Sequence, residues 1–430
     1  MQNSQRATDN PALDAAIALA NERQVGVIVY VALDTRVPHA TARTFSFLLD
    51  GLRETVGDLR ARGIGTVVRI EAPVDGVVRL ADEVRAVAVV TDLSPLRRGR
   101  RLRAEAARRL AVPLLQLDGD HVVPLASIGR EHWAARTIRA PIQRLLPALL
   151  HEPDRIEVRH PAPMMEGLDL AGLGTDTLLD ALGVDRTVGP AEDAAPGSGA
   201  AHARLRHFLD RGLTGYATRR RDPESPGSGL SPYLRFGHLS PLRVALAASS
   251  ADAPDDDRAA FLEELIVRRE LASNFVYFNP TYDRLGGLPT WAQATLAKHA
   301  DDPRPAQYAY DDFAAARTHD PIWNAAQWEL LQRGRIHNYV RMYWGKKILE
   351  WSRTPAEALA TALRLNDRFA LDGRSANGYT NVLWCFGKHD RPWAERPIFG
   401  TVRWMSDRGM AAKLDVKAYI RRWSGTPSMF

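Results

Sequence analysis

Three tryptophans, Trp323, Trp344 and Trp351, stand in the run THDPIWNAAQWELLQRGRIHNYVRMYWGKKILEW. Trp344 and Trp351 are seven residues apart in a helical pattern. One helix face therefore carries both rings, about 10 Å apart along the axis at 1.5 Å per residue. Rings so spaced suit stepwise electron transfer. The ordinary alternative is core packing, since Trp is mostly a large buried anchor.

The neighbours add to the first reading. His337, Asn338, Arg341 and Met342 share the helix, and Arg341 lies three residues from Trp344. Asp372, in LNDRFALDGRSANGY, can pair with Arg341, and a buried Arg–Asp pair must be well satisfied. Asn366 and Asn377 in the same run are candidates for contacts to ring nitrogens. Asn377-Gly378 also reads as ordinary turn chemistry.

Two further clusters could hold a ligand. In GSGLSPYLRFGHLS (227–240), Gly227 and Gly229 admit close backbone approach, Ser231 is a good N-cap and Pro232 a good first helical residue. The helix N-terminus this predicts suits a phosphate or diphosphate. Glu264, Arg268, Arg269 and Glu270 interrupt an otherwise apolar helix. Glu264 and Arg268 are spaced for a surface ion pair. Alternatively, a carboxylate facing a partly dry pocket has a raised pKa and can donate a hydrogen bond or proton.

The last cluster is WCFGKHDRPWAERPIFGTVRWM (384–405). Trp384, Trp393 and Trp404 interleave there with Lys388, Arg391, Arg396 and Arg403. Cations hold nucleic-acid phosphates while aromatic rings stack bases. A net charge of +6 and a pI near 9.5 point the same way. His319 and His337 are isolated, no HExxH or Cys/His spacing occurs, and no GxSxG motif is present, so no metal is expected.

The elements that must position these residues are legible in outline. The runs at 25–33, 65–72, 86–93 and 112–119 are apolar, as buried parallel strands are. Thr41 to Arg62 reads as a helix, and RRGRRLRAEAARRLA as a basic one. Strand–helix alternation predicts a doubly wound, Rossmann-like α/β domain over residues 1–150. Residues 151–201 read as a connector, with a mobile Ala/Gly/Pro-rich loop at 189–201. Residues 202–430 read as an all-helical domain, with helices opened by Asp320-Pro321 and Thr354-Pro355. There is one cysteine, Cys385, which excludes internal disulfides and suits a reducing, cytoplasmic setting. No apolar run of about 20 residues and no signal-peptide core is present.

These runs together resemble the class II cyclobutane pyrimidine dimer photolyases of the photolyase/cryptochrome family. The likeness rests on ELIVRRELASNF, ARTHDPIWNAAQ, RMYWGKKILEW, LNDRFALDGRSANGY and the HDRPW…ERPIFG…VRWM tail. VVTDLSPLRRGRR, DGDHVVPLA and AARTIRAPIQRLLP extend it over nearly the whole chain. The resemblance implies light-driven repair of dimers in DNA by electron transfer from excited, reduced, anionic FAD to a flipped-out dimer. It implies an FAD site in the helical domain and allows an antenna chromophore, of unreadable identity, in the α/β domain. Tyr216 and Ser228, Gly229, Leu230 and Ser231 match diphosphate-holding positions. Asn366 matches the residue facing flavin N5, and Arg341 and Asp372 match the salt bridge beside the ring, where such a pair tunes its charge. Asn377 is carried with them as a cofactor contact. Trp323, Trp344 and Trp351 match the chain that carries electrons from the surface, with Tyr308 nearby. Glu264, Met342 and Trp384 match the dimer pocket, and Arg391, Trp393 and Arg403 match residues filling the gap left in the duplex. Arg220, Arg268 and Asn338 are the remaining candidates for DNA contact.

Some features depart from that pattern. Arg221 stands where the family has asparagine, and the segment at Trp384 is one residue shorter. The chain also opens with MQNSQRATDN, where family members already have a strand. A missing first strand, a sheet gap or exposed edge, and a Met1 internal to a longer protein are the expectations. The tail SGTPSMF lacks the long extension of signalling cryptochromes, which favours an enzyme; a monomer is the expected state. A light receptor without repair activity is the main alternative. A repair enzyme for (6-4) photoproducts would need a histidine pair in the pocket, and a cofactor-free DNA-binding protein would leave the tryptophans as core.

Overall fold

Each of the four apolar runs forms a strand in the computed structural model, which describes residues 1–424. The strands are β1 (Ile28–Leu33), β2 (Gly65–Ile70), β3 (Val89–Asp92) and β4 (Leu114–Leu117). Their helices are α1 (Pro11–Arg23), α2 (Ala42–Ala61), α3 (Pro73–Glu83) and α4 (Arg97–Arg109). The helix after Thr41 forms as α2 and the basic run becomes α4, as the sequence predicts. β1 runs parallel to β2, with Ile28 opposite Gly65 and Leu33 opposite Ile70. β3 runs parallel to β4, with Val89 opposite Leu114 and Asp92 opposite Leu117. Parallel neighbours need such helical crossovers.

The two pairs form separate sheets. The expected gap is therefore real. A cavity of about 1150 Å³ is lined by all of β1 and β3 and by parts of α1, α3 and α4. Met1, Gln2 and Asn3 line part of it. The Met1 amino nitrogen donates to the Tyr30 carbonyl oxygen at 2.8 Å. The buried Asp92 carboxylate accepts from the backbone N–H groups of Gln2 (3.1 Å), Asn3 (2.6 Å) and Ser4 (2.5 Å). β1 alternates: Val29, Val31 and Leu33 join the core formed with Leu13 and Ile17 of α1 and Phe45 and Leu49 of α2. Tyr30 points the other way, towards α3, where a Cβ on Gly76 would strike its hydroxyl.

The segment at 189–201 is not a free loop. The Gly189 carbonyl accepts from Arg43 at 3.0 Å, and Asp193 pairs with Arg333 and with Arg335 (2.8 Å). Polar side chains too distant in sequence to be foreseen tie it down. Another helix, α5 (Thr175–Leu182), lies before it and buries Leu178, Leu179 and Leu182.

From α6 (Ser198–Arg211) onward the chain is helical. The helices used below are α7 (Ser231–Phe236), α8 (Asp255–Leu262), α9 (Arg269–Phe278), α10 (Pro321–Arg333), α11 (Asn338–Trp351), α12 (Pro355–Phe369) and α13 (Ala376–Cys385). Asp320 caps α10 and Thr354 caps α12, each followed by Pro at the first position. The largest core gathers Trp323, Trp344, Trp351, Tyr343, Phe275, Phe313 and Phe386. Among the described residues no helix is long and apolar enough to cross a membrane. Most of the tail past Trp423, residues 425–430, lies outside the described residues.

Candidate active site

Helices α10 and α11 cross so that Trp323 of α10 enters between the two tryptophans of α11. Trp323 stacks on Trp344 with ring centres 6.3 Å apart and planes 5° from parallel. It meets Trp351 edge-on at 6.3 Å. The two rings on α11 are thus bridged by a third from a neighbouring helix. Tyr308 continues the series, 5.9 Å from Trp351. All three tryptophans are buried, Trp351 being only 2 % exposed. Tyr308 and His319 cover the outer end.

Buried hydrogen bonds hold the rings. The Trp323 indole N–H donates to the Trp344 carbonyl at 3.0 Å, and the Trp344 indole N–H donates to Gln327 Oε1 at 2.9 Å. Gln327 was not foreseen, and its only sequence signal is polarity on a buried helix face.

At the inner side, Arg341 meets Asp372 at 3.4 Å, as the sequence suggests. Asn366 is buried on α12 and, among the described residues, its side chain reaches Asp367 alone, at 3.5 Å. A Cβ on Gly378 would come within 2.9 Å of its amide nitrogen. Asn377-Gly378 forms no loop turn; both residues lie in the first turn of α13, where Ser375 accepts from the Gly378 N–H at 3.1 Å. The Ser375 cap outweighs the local turn preference.

The phosphate-loop expectation needs correction. Ser231 is the first residue of α7, preceded by Leu230, and its hydroxyl caps nothing. The loop is instead braced by Arg204, whose Nε donates to the Ser228 carbonyl at 2.7 Å. Tyr216 packs edge-on against Phe208 and Phe261, and burial pushes its hydroxyl pKa up to about 12.

Between α8 and α9 the backbone widens into a π-helical turn, Glu263–Arg268. Such turns insert a residue and re-aim side chains. Glu264 therefore does not pair with Arg268. Arg268 meets Glu263 at 3.4 Å, while Glu264 takes a short bond from Arg220. Arg269 donates to the Asp120 carbonyl at 2.6 Å. Glu270 is fully buried and accepts from the Val122 N–H at 2.6 Å. Arg221 is exposed.

Met342, Trp384 and Arg403 come together around a small pocket with Lys346, Asp390 and Met405. Glu264 is not among its walls. Sequence reasoning missed Lys346, whose pKa burial lowers to about 8 and whose ammonium caps the Cys385 carbonyl. Beyond the pocket, Arg391 and Arg403 flank the Trp393 ring at 4.8 and 5.0 Å, and Arg396 covers Trp404 at 4.4 Å. Trp393 is 39 % exposed, a suitable plane for stacking. Lys388 does not belong to this cationic surface: it is buried, bonded to Glu131 at 2.7 Å and set over Phe275 at 3.7 Å. Asn338 is exposed at the start of α11, and His337 caps it by accepting from the Tyr339 N–H at 3.2 Å.

The DNA photolyase family model matches residues 1–163. The deoxyribodipyrimidine photo-lyase of Methanothermobacter thermautotrophicus is 42% identical, with 99% of this chain and 94% of that protein covered. The enzyme of the same name from Arabidopsis thaliana is 38% identical, covering 98% of this chain and 87% of its own. A class III photolyase structure from Agrobacterium tumefaciens superposes with a TM-score of 0.73 at 19% identity, covering 98% of this chain and 85% of that one. A Synechocystis cryptochrome gives 0.77 at 15% identity, over 98% and 86%. The chain belongs to the DNA photolyase family. It is an enzyme of that family, with the family's α/β and helical architecture, and membership implies a flavin.

The residues present fit such a group. Among the described residues, the Arg341 side chain makes a single long bond and the Asn366 amide makes another. Uncommitted buried donors are costly. An acceptor-rich aromatic ring beside Arg341 and Asn366 would satisfy them.

Proposed function

We propose that this enzyme repairs cyclobutane pyrimidine dimers in DNA by light-driven electron transfer, as a class II photolyase working with reduced FAD. The observation that carries the reading is the ring series Trp344–Trp323–Trp351, which ends inwardly beside the Arg341–Asp372 pair. The deoxyribodipyrimidine photo-lyases it resembles support the same substrate.

When bound, the flavin supplies the light absorption and the transferable electron. Arg341 would hold negative charge on the ring, with Asp372 setting the balance and Asn366 and Asn377 fixing its edge. Tyr216 and Ser228–Ser231 would hold the diphosphate through backbone N–H groups, since Ser231 is no cap. Arg403 and Arg391 would grip phosphates while Trp393 occupies the space left by the displaced bases. A dimer stacks and pairs poorly, so flipping it out costs less than flipping normal bases. Met342 and Trp384 would wall the dimer, and Arg220, Arg268 and Asn338 would border the strand. Glu264 would steady the negative charge that develops on the dimer by hydrogen bonding, with the Arg220 charge beside it. The reading carries with it a cytoplasmic monomer, a division near residues 150 and 201, and room for an antenna chromophore in the α/β part.

Purified holoprotein, reduced and illuminated with an irradiated oligothymidylate, should restore thymine absorbance. Flavin without recovery would move the reading to a light receptor, and purified folded protein that binds DNA but no flavin would end it.

A further inference from the structure

The ring series does not end on Trp351. That ring is buried, so a reductant in solution cannot touch it. Beyond it stand Tyr308, half-buried, and His319, exposed. Two bonds join them: the His319 backbone N–H donates to the Tyr308 hydroxyl oxygen at 2.9 Å, and that oxygen lies 2.7 Å from His319 Nδ1. In the tautomer that carries the imidazole proton on Nε2, Nδ1 accepts from the phenol hydroxyl, whose oxygen accepts from the backbone. The rings stack 18° from parallel, and His319 also lies 4.8 Å from Trp351. The Tyr308 N–H donates to the Trp351 carbonyl at 3.2 Å, tying the pair to the series.

We infer that Tyr308 and His319 form a proton-coupled exit for the ring series, with His319 Nδ1 taking the phenol proton as Tyr308 is oxidised. The inference rests on the proposed photoreduction chain. The oxidant is a photoexcited oxidised flavin, to which an electron passes inward through Trp323 and Trp344, leaving Trp351 as a radical cation. One electron then moves from Tyr308 to Trp351. The Tyr308 O–H bond breaks and an N–H bond forms at His319 Nδ1. The products are neutral Trp351, a neutral tyrosyl radical and an imidazolium. His319 is exposed, so the proton leaves to solvent, and an external thiol later returns an electron and proton to Tyr308. A phenol oxidised without losing its proton is a much stronger oxidant than the neutral radical. The base makes the step downhill and hinders electron return.

The test is transient absorption and electron paramagnetic resonance on the FAD-loaded full chain, in H₂O and D₂O. Wild type should show tyrosyl radical rising as the tryptophan cation decays, more slowly in D₂O. His319→Gln should slow that step roughly hundredfold, the low end of what a positioned base contributes. Added imidazole should restore it. Tyr308→Phe should lack the tyrosyl signal, with no rescue by imidazole. An unchanged rate and isotope effect in His319→Gln would overturn this inference alone. A wild type without any tryptophan cation would overturn the photoreduction chain and this inference with it.

Discussion

Trp323 donates its indole N–H to the backbone carbonyl of Trp344 while lying flat against that residue's ring. One side chain is thus fixed twice to the same neighbour, by a 3.0 Å bond and by a 6.3 Å stack. Little freedom is left to either ring. Trp323→Phe would lose the bond and part of the stack, with an expected cost of about 2 kcal/mol in thermal unfolding. Photoreduction of bound flavin should fail in this variant and in Trp351→Phe, while repair by flavin already reduced with dithionite persists. Equal loss of both activities would show that the rings serve packing alone.

Glu270 sets a pH dependence. Burial pushes its pKa from 4.5 up to about 7, against the pull of nearby His121 and of the Val122 and Val123 N–H groups. A carboxyl whose pKa is higher folded than unfolded stabilises most below its unfolded pKa and loses that contribution as pH rises through the folded one. Stability should therefore fall between about pH 4.5 and 7, by roughly 3 kcal/mol from this group. Glu270→Gln keeps an oxygen for both N–H groups and should flatten most of that slope in pH-dependent melts. Some slope should remain: burial opposes charge on His121, yet Asp118 at 2.7 Å raises its pKa overall.

Arg391 and Arg403, on either side of Trp393, should act as phosphate contacts without sequence preference. Arg403→Ala should reduce the slope of log affinity against log salt by roughly one, measured on dimer-containing duplex. Lys388→Ala should leave the slope unchanged and cost stability instead, because that ammonium is committed to Glu131.

Asp92 gathers three backbone N–H groups from residues 2–4. Asp92→Ala would strand them and should cost about 3 kcal/mol by calorimetry. The helical half should keep its flavin.

The sequence displays what depends on near neighbours. The strands show as apolar runs, and α10 and α12 begin where Asp320-Pro321 and Thr354-Pro355 place them. The Arg341–Asp372 pairing could be guessed from charge. The threading of Trp323 between Trp344 and Trp351 could not, because it depends on how two helices cross. The π turn at Glu263–Arg268 escaped because one inserted residue barely disturbs apolar periodicity, yet it decides which arginine Glu264 meets. Lys388 looked like a DNA contact because its partner Glu131 is 257 residues away.

The divided sheet bears on how the molecule comes apart. Two-stranded pairs are marginal as independent units, and β1–β2 and β3–β4 are linked by side chains and helices, with no continuous ladder. Amides of both pairs should exchange with deuterium through partial openings well below the global free energy. Proteases should find the same openings first. A preparation would then age from its α/β end, its flavin spectrum still intact, so colour alone is a poor measure of how much whole protein a sample contains.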